Sequence, residues 1–162
     1  MPSKKKLQVF VSSTYLDMKE ERQAAVEAIL QAGHIPAGME LFAAGSQSQL
    51  EVIYNWIDES DVYLLLIGGR YGSVDPATGN SYTELEYEYA IKKNKPHFVL
   101  IIDELYHRSK VEKPGGLDFN EQDNPHLLSA FRRRITNGKY VKFLLLLASA
   151  ACFRWRPRQR FP

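Results

Sequence analysis

The stretch Ser81-Tyr-Thr-Glu-Leu-Glu-Tyr-Glu-Tyr-Ala90 decides the fold, because it lies between two apolar runs, Val62–Ile67 and Pro96–Ile102. With a period of two, its glutamates would alternate with leucine and tyrosine, as in a half-buried strand. A helix is favoured instead, because glutamate and alanine are poor strand formers and two parallel strands need a crossover between them. The stretch therefore predicts a helix that connects two buried parallel strands.

In a helix, the three glutamates of this stretch have different surroundings. Ser81 and Glu84 have the spacing of a capping box, in which the serine hydroxyl accepts from the third helical amide and the glutamate reaches back to the cap. Glu84 and Glu88 share one face of the helix. Glu86 lies on the opposite, aromatic face, where a carboxylate is costly to desolvate unless a partner or a cavity is present. Two interpretations remain open for Glu86: a functional carboxylate, or a glutamate at the margin of that face that reaches past a tyrosine into water.

Strands and helices alternate along the rest of the chain. The predicted strands are Leu7–Val11, Ile35–Met39, Val62–Ile67, Pro96–Ile102 and Tyr140–Leu147. The predicted helices run from about Tyr15 to Ala32, from Ser48, from Ser81, and from Asn124 to Gly138, while Asp103–Asp123 is predicted to be irregular with room for one short helix. This order predicts an α/β doubly wound, flavodoxin-like fold with a mostly parallel five-stranded sheet and helices on both faces.

The length of 162 residues predicts one domain, which we place at residues 1–147. Hydrophobic residues make up 44% and charged residues 25% of the chain, as in ordinary globular domains. The net charge of +2 does not indicate a nucleic-acid partner, because much of the positive excess lies at the two ends of the chain. Residues 148–162 are rich in arginine and contain two prolines and no core stripe. They are predicted to be a loose or non-native basic tail rather than a nucleic-acid or membrane contact.

The sequence disfavours several classes of site and location. Cys152 is the only cysteine, so no intramolecular disulfide can form, and no signal peptide is recognised, which favours the cytoplasm. The longest apolar run, residues 143–153, is too short to cross a bilayer as a helix. The four histidines are scattered, so no metal site is expected. Residues 68–72 have the wrong spacing for a Walker or dinucleotide-binding motif, so no cofactor is expected.

A candidate site is predicted at one edge of the sheet. In doubly wound sheets, ligands bind beyond the carboxyl ends of the strands, where the strand order reverses. The segments predicted to meet there are residues 12–15, 40–46 and 68–86. These segments hold most of the unusual polar and aromatic residues of the chain.

Five segments carry a resemblance to a known family: Val9–Thr14, Asp17-Met18, Glu20–Arg22, Gly68–Gly72 and Ser81–Ala90. Over residues 6 to 103 the chain resembles the TIR-like domain of unknown function that is often found in front of nucleotide-binding STAND or NACHT ATPase modules. That domain is similar in turn to TIR domains and to nucleoside deoxyribosyltransferases. The TIR pattern places an aromatic residue four positions before a catalytic glutamate and an alanine four positions after it, and Tyr82, Glu86 and Ala90 match those places.

The resemblance implies that the domain cleaves the bond between nicotinamide and ribose in NAD, which makes NAD a substrate rather than a cofactor. Ordinary glycosidases need two carboxylates, because the leaving oxygen must be protonated. Nicotinamide is bound as a cation and leaves as a neutral molecule, so one carboxylate can stabilise the developing positive charge. An NAD glycohydrolase is therefore favoured, and two alternatives stay open: a self-association module without enzymatic activity, and a transferase of the nucleoside deoxyribosyltransferase kind.

The resemblance also implies roles for individual residues, with Glu86 as the catalytic residue. The implied substrate-binding residues are Ser12, Ser13, Thr14, Phe42, Arg70, Tyr71 and Tyr82. The segment Glu40–Gly45 resembles the mobile loop after the second TIR strand, and no basic residue directly follows the first strand, unlike in NAD-cleaving TIR domains. The implied partners are NAD or a related nucleotide, further copies of the chain, and a downstream STAND or NACHT module, in a cytoplasmic signalling role in anti-phage defence.

Overall fold

A computed structural model of the chain describes residues 5–38 and 49–137, together with the backbone of residues 141–144. Its strands are β1 (Gln8–Ser13), β2 (Ile35–Ala37), β3 (Val62–Ile67), β4 (His97–Ile102) and β5 (Val141–Leu144). Its helices are α1 (Lys19–Gln31), α2 (Gln49–Glu59), α3 (Tyr82–Lys92), α4 (Glu104–Val111) and α5 (Pro125–Thr136), with a 3-10 turn at Gly116–Phe119 between α4 and α5. The predicted α/β class, with a parallel sheet and helices between its strands, is confirmed.

The order of the strands identifies where a ligand would bind. Within the described residues, the order is β2-β1-β3-β4-β5, and each neighbouring pair is parallel. The chain passes from β1 to its neighbour on one side, β2, and then crosses to its neighbour on the other side, β3. The strand order therefore reverses between β1 and β3, which is where doubly wound sheets bind ligands.

Helices cover both faces of the sheet. On one face, Phe10 and Leu65 pack in a cluster with side chains of α2, α3 and α5. On the other face, Val11 and Leu66 pack with side chains of α1 and α4. Because successive side chains of a strand point to opposite faces, Ser12 follows Phe10 onto the face that α3 covers.

Residues 103–123 contain more regular structure than the sequence predicts. The Oδ1 atom of Asp103 accepts from the backbone N–H groups of Leu105 and Tyr106, at 3.0 and 3.1 Å, and so begins α4. This helix lacks the apolar stripe that would reveal it in the sequence, because its buried residue is Lys110. Hydrogen bonds to other parts of the chain hold that lysine in place.

Several predicted boundaries also change. The first helix begins at Lys19 rather than near Tyr15, because residues 15–18 form a turn. Gly33 ends this helix as predicted: its φ is +79°, and its N–H donates to the carbonyl oxygen of Leu30 at 2.9 Å. The ends of the predicted β2 and β5 and the tail 148–162 lie outside the described residues.

The turn after β3 leaves no room for a side chain at Gly69. A Cβ atom there would overlap with the Nε2 atom of His107 and with the carbonyl oxygen of Phe119. Because a carbonyl oxygen cannot move without its backbone, Gly69→Ala is expected to lower the free energy of unfolding by about 2 to 3 kcal/mol. Chemical denaturation measures this loss.

Gly79→Ala is the matched comparison for this prediction. Gly79 has open space around its Cβ position but a φ of +75°, so its replacement meets backbone strain alone. That strain is worth about 1 kcal/mol. Equal losses of stability in the two variants would contradict the close packing around Gly69.

Candidate active site

The helix α3 begins at Ser81, as the sequence predicts, but Glu84 does not complete the capping box. The Ser81 hydroxyl accepts from the backbone N–H of Glu84 at 3.2 Å. The buried Glu84 carboxylate accepts from the Tyr71 hydroxyl and pairs with Arg134 of α5. Arg134 also pairs with Glu88, at 3.2 Å. Glu84 and Glu88 therefore attach α3 to Arg134 of α5.

Glu86 points from α3 toward the carboxyl end of β1. Its side chain is only 3% exposed, and its Oε2 atom accepts a short hydrogen bond from the hydroxyl of Ser12. Ser12 is itself buried and lies opposite Leu65 of β3 in the register of the sheet. The interpretation of Glu86 as a marginal glutamate in water is therefore excluded, and the carboxylate lies where the strand order reverses.

Burial controls the ionisation of Glu86. Removal of the carboxylate from water raises the pKa of Glu86 from 4.5 to about 7. The hydrogen bond from Ser12 and the positive charge of Arg22 lower this pKa, but by less than burial raises it. At neutral pH the protonated and ionised forms of Glu86 are both populated, which is the condition under which a carboxyl group is useful in catalysis.

Arg22 of α1 belongs to the site, although the sequence reasoning does not single it out. Its side chain is buried, and its Nη1 atom donates to the hydroxyl of Ser13 at 3.1 Å. It brings a positive charge to the end of β1, which the residues directly after that strand do not supply. The signal in the sequence is its spacing: Arg22 follows the buried Met18 by four residues, so both lie on the sheet side of the first helix.

Two tyrosines contribute to the environment of Glu86. Burial raises the pKa of Tyr63, and the negative charge of Glu86 raises it further. The same two causes, in the same order, raise the pKa of Tyr54 on α2. The hydroxyl oxygen of Tyr63 is buried and has no hydrogen-bond partner of good geometry. In the sequence, Tyr63 is marked only as a tyrosine in the otherwise aliphatic run of β3.

Two predicted site residues, Thr14 and Arg70, meet at Asp17. The Thr14 hydroxyl donates to Oδ1 of Asp17 at 2.5 Å, and the backbone N–H of Arg70 donates to Oδ2 at 3.1 Å. Burial raises the pKa of Asp17, an effect that these hydrogen bonds oppose. The guanidinium of Arg70 donates to the carbonyl oxygen of Asp118 at 2.7 Å. These contacts join the loops after β1 and β3, and a role of either residue in phosphate binding stays a prediction.

The predicted aromatic residues have different positions. Tyr71 is buried in the core, its hydroxyl donates to Glu84, and its backbone N–H donates to Glu121 at 2.6 Å. Tyr82 is half-buried in the first turn of α3. Phe42, like the whole segment 39–48, lies outside the described residues. The structure thus brings Ser12 to Glu86, and gives Tyr71 a packing role.

Residues 8–149 match a family model that is described as Domain of unknown function (DUF4062). The chain belongs to this family. The matched residues of the DUF4062 domain extend from β1 to beyond β5 and include Ser12, Arg22 and Glu86. No curated protein matches the chain.

Three solved structures are similar to the DUF4062 domain at low identity. One is the CMP N-glycosidase BcmB of Clostridium botulinum, with 14% identity, 80% of this chain and 98% of that chain covered, and a TM-score of 0.42. Another comprises the TIR domains of the activated Roq1 resistosome directly recognizing the pathogen effector XopQ. The identity is 12%, the match covers 82% of this chain and 75% of that chain, and the TM-score is 0.48. The third is a conserved protein from Enterococcus faecalis V583, with 10% identity, 80% of this chain and 99% of that chain covered, and a TM-score of 0.44.

Two cavities of about 490 Å³ each lie in the described part of the DUF4062 domain. One is at the carboxyl end of β4 and is lined by His107 and Arg132 among other residues. The other is lined by residues that include Glu84 and Arg134. Glu86 lines neither cavity, so the candidate site is defined by a buried carboxylate and its partners.

In the part of the DUF4062 domain that the structure describes, no helix is long and apolar enough to span a membrane. Over the same residues, no group of three or more histidine, cysteine, aspartate and glutamate side chains is arranged to hold a metal ion.

Proposed function

We propose that this DUF4062 domain cleaves the N-glycosidic bond between nicotinamide and ribose in NAD, or the corresponding bond of a related nucleotide, with Glu86 as the catalytic carboxylate. One observation carries the proposal: a buried, inward-facing carboxylate is hydrogen-bonded to Ser12 where the strand order reverses. Ligands of doubly wound sheets bind at that place. The match of Tyr82 and Ala90 to the TIR pattern supports the choice of reaction.

In the proposed reaction, the bond between C1′ of the ribose and the nicotinamide nitrogen breaks, and its electron pair stays on the nitrogen. The leaving group becomes neutral, so it needs no proton from the protein. The sugar becomes an oxocarbenium ion, which the Glu86 carboxylate stabilises by its negative charge. Water then adds to C1′ and releases a proton to the solvent.

The proposed role requires the ionised form of Glu86. The pKa of about 7 makes that form partly populated at neutral pH. A cationic nicotinamide ring close to the carboxylate favours the ionised form, because opposite charges lower the pKa of an acid. The buried surroundings, which include Tyr54 and Tyr63, weaken electrostatic screening and strengthen this attraction.

We also propose that the site works when several copies assemble, and that the assembly signals to a downstream STAND or NACHT module in a defence protein. The basis for this context is the resemblance of the segments around β1 and α3 to the TIR-like domain that is often found in front of such modules. Tyr15 and Leu16, in the turn between β1 and α1, are large apolar residues exposed to solvent. Exposed apolar side chains of this kind suit a contact with another protein surface.

A self-association module without enzymatic activity is the second candidate. The observation that favours it is the 3% exposure of Glu86, which equally suits a structural carboxylate that only holds α3 against β1. A transferase would use the same carboxylate and differ in the acceptor of the sugar. The three functions are distinguished by the products formed.

Replacement of Glu86 tests the proposed function. In Glu86→Gln, kcat/KM for NAD is expected to fall by about 100-fold or more, because an amide carries no charge to stabilise the sugar cation. In the unmodified protein, kcat/KM is expected to rise with pH and to reach half of its maximum near pH 7. Chromatographic detection of free nicotinamide, with concentrated or artificially oligomerised protein, measures both quantities.

Glu88→Gln is the matched control, because Glu88 is on the same helix and is partly exposed. This variant is expected to keep its activity. Equal turnover in Glu86→Gln and in the unmodified protein would remove Glu86 from the mechanism. Concentration-dependent oligomers without NAD turnover would favour the signalling module. Transfer of the sugar to an added nucleobase would favour the transferase.

A further inference from the structure

A cavity at the carboxyl end of β4 is separate from the candidate site around Glu86. We call it the β4 cavity, and its lining includes Ile101, Leu128 and Arg132. Its volume of about 490 Å³ lies within the range of roughly 300 to 1,000 Å³ that is usual for small-molecule sites. Such sites combine apolar walls, which bury the ligand, with a few polar groups, which orient it. The β4 cavity has both kinds of lining.

The position of the β4 cavity in the fold also suits a ligand. The loop after β3 contributes Gly69 to its lining, while Arg132 of α5 reaches the same loop and donates from Nη2 to the carbonyl oxygen of Gly68 at 2.8 Å. The cavity therefore lies at the carboxyl edge of the sheet, between the ends of two neighbouring strands. Open α/β sheets bind their ligands at this edge.

Arg132 supplies a positive charge that no carboxylate of the described residues pairs with. Its side chain is half-buried, and none of the ion pairs within residues 5–38 and 49–137 includes it. Its Nε–H group is buried and has no acceptor among the same residues. Burial lowers the pKa of Arg132, but a guanidinium stays charged at neutral pH. A charge that is partly removed from water is costly without a counter-charge, so this cavity suits an anion.

The other ionisable groups in the lining have different surroundings. Glu104 is exposed at the start of α4, and its charge acts on Arg132 without an ion pair between them. The Glu121 carboxylate already accepts from three backbone N–H groups, at 2.6, 2.9 and 3.1 Å. The Nε2 atom of His107 lies 3.2 Å from a backbone carbonyl oxygen. The guanidinium of Arg132 is therefore the group best placed to bind a ligand by charge.

We propose that the β4 cavity binds a small organic anion, whose carboxylate or phosphate group pairs with Arg132 and whose apolar part packs on Ile101 and Leu128. A guanidinium presents its N–H groups as a planar fork that matches both kinds of anionic group. Since Gly68 takes one hydrogen of Nη2, both hydrogens of Nη1 and the second hydrogen of Nη2 remain for the ligand. The inference is independent of the proposed function, because Glu86 does not line this cavity.

Titrations with benzoate and with phenyl phosphate, followed by proton–nitrogen NMR of the whole chain, test the proposal. Each probe joins an aromatic ring to one anionic group, so the two titrations show whether the cavity prefers a carboxylate or a phosphate. At least one of them is expected to bind with a Kd of about 1 mM or below. Benzamide has the ring of benzoate without its charge and is expected to bind about tenfold more weakly or less. Inorganic phosphate, which lacks an apolar part, is also expected to bind more weakly than phenyl phosphate.

Replacement of Arg132 shows whether its charge holds the anion. Arg132→Gln is expected to weaken binding of the preferred anion by about tenfold or more and to leave binding of benzamide unchanged. Arg133→Gln is the matched control, because Arg133 is the next residue of α5, is exposed and lines the other cavity. This control is expected to bind the anion as the unmodified protein does. The dispersion of the amide signals shows that each variant is folded.

Ser129→Glu keeps the test decisive if Arg132→Gln does not fold. Ser129 lines the β4 cavity from an exposed position on α5, so a larger side chain there is compatible with folding. The added carboxylate is expected to weaken anion binding several-fold by repulsion. Absence of saturable binding of both anions up to about 10 mM would overturn the proposal. Equal affinities for benzoate and benzamide, or anion binding that neither Arg132→Gln nor Ser129→Glu weakens, would overturn it as well.

Discussion

Replacement of Lys110 by methionine is expected to lower the free energy of unfolding by about 3 to 5 kcal/mol. The ammonium of Lys110 donates to Oε1 of Glu21 at 2.7 Å and to the carbonyl oxygen of Asp17 at 2.5 Å. Lys110 is 5% exposed and Glu21 is 1% exposed, so the pair is almost completely removed from water. Methionine fills a similar space but leaves the carboxylate of Glu21 buried without its counter-charge.

Chemical denaturation of three variants checks this prediction. Lys113→Met is the matched control, because Lys113 is exposed and its loss is expected to have little effect. The double variant Glu21→Gln with Lys110→Met is expected to be more stable than Lys110→Met alone, because no charge is then buried without a partner. If Lys110→Met lost no more unfolding free energy than Lys113→Met, the importance of the pair of Lys110 and Glu21 would be contradicted.

The second large effect is a dependence of stability on pH that originates at Glu86. The pKa of Glu86 is raised in the folded protein to about 7, from an ordinary value of 4.5. Below pH 4.5 the carboxyl is protonated in both the folded and the unfolded protein, so it does not change the free energy of unfolding. Between 4.5 and 7 the unfolded chain releases the proton and the folded protein keeps it, so stability falls as pH rises. Above pH 7 the loss of unfolding free energy is complete, at about 3 kcal/mol.

Glu86→Gln isolates this effect, because glutamine does not titrate. As pH rises from 4.5 to 7, the unmodified protein is expected to lose about 3 kcal/mol of unfolding free energy relative to Glu86→Gln. Asp17, whose pKa burial also raises, is present in both proteins and cancels from the comparison. Denaturation at a series of pH values measures the difference. Parallel stability curves would show that Glu86 is not desolvated as the structure indicates.

Local chemistry explains how much of the fold is predictable. The capping serine Ser81 and the glutamates after it indicate a helix, and the apolar runs on either side indicate buried strands. These signals depend on neighbours within a few residues, so a single sequence displays them. The sequence allows one short helix within Asp103–Asp123, but the position of α4 escapes this reasoning, because Lys110 takes the buried place that an apolar residue would occupy.

The candidate site is less predictable than the fold. Glu86 is conspicuous in the sequence because it is a carboxylate on an aromatic helix face, and Ser12 because it ends a strand. Arg22 and Tyr63 are not conspicuous, because their importance arises from residues far away along the chain. Arg70 is conspicuous as a loop arginine, but the sequence does not show that its guanidinium donates to the carbonyl oxygen of Asp118.

The sequence by itself determined that this protein is an α/β domain with parallel strands, and that Glu86 faces away from the other two glutamates of its helix. Those properties follow from residue spacing, which is a local quantity. Only the tertiary structure decided that Glu86 meets Ser12, that Arg22 supplies the nearby charge, and that burial raises the pKa of the carboxyl. Each of these depends on which segments pack together and exclude water, and packing joins residues that the sequence keeps far apart.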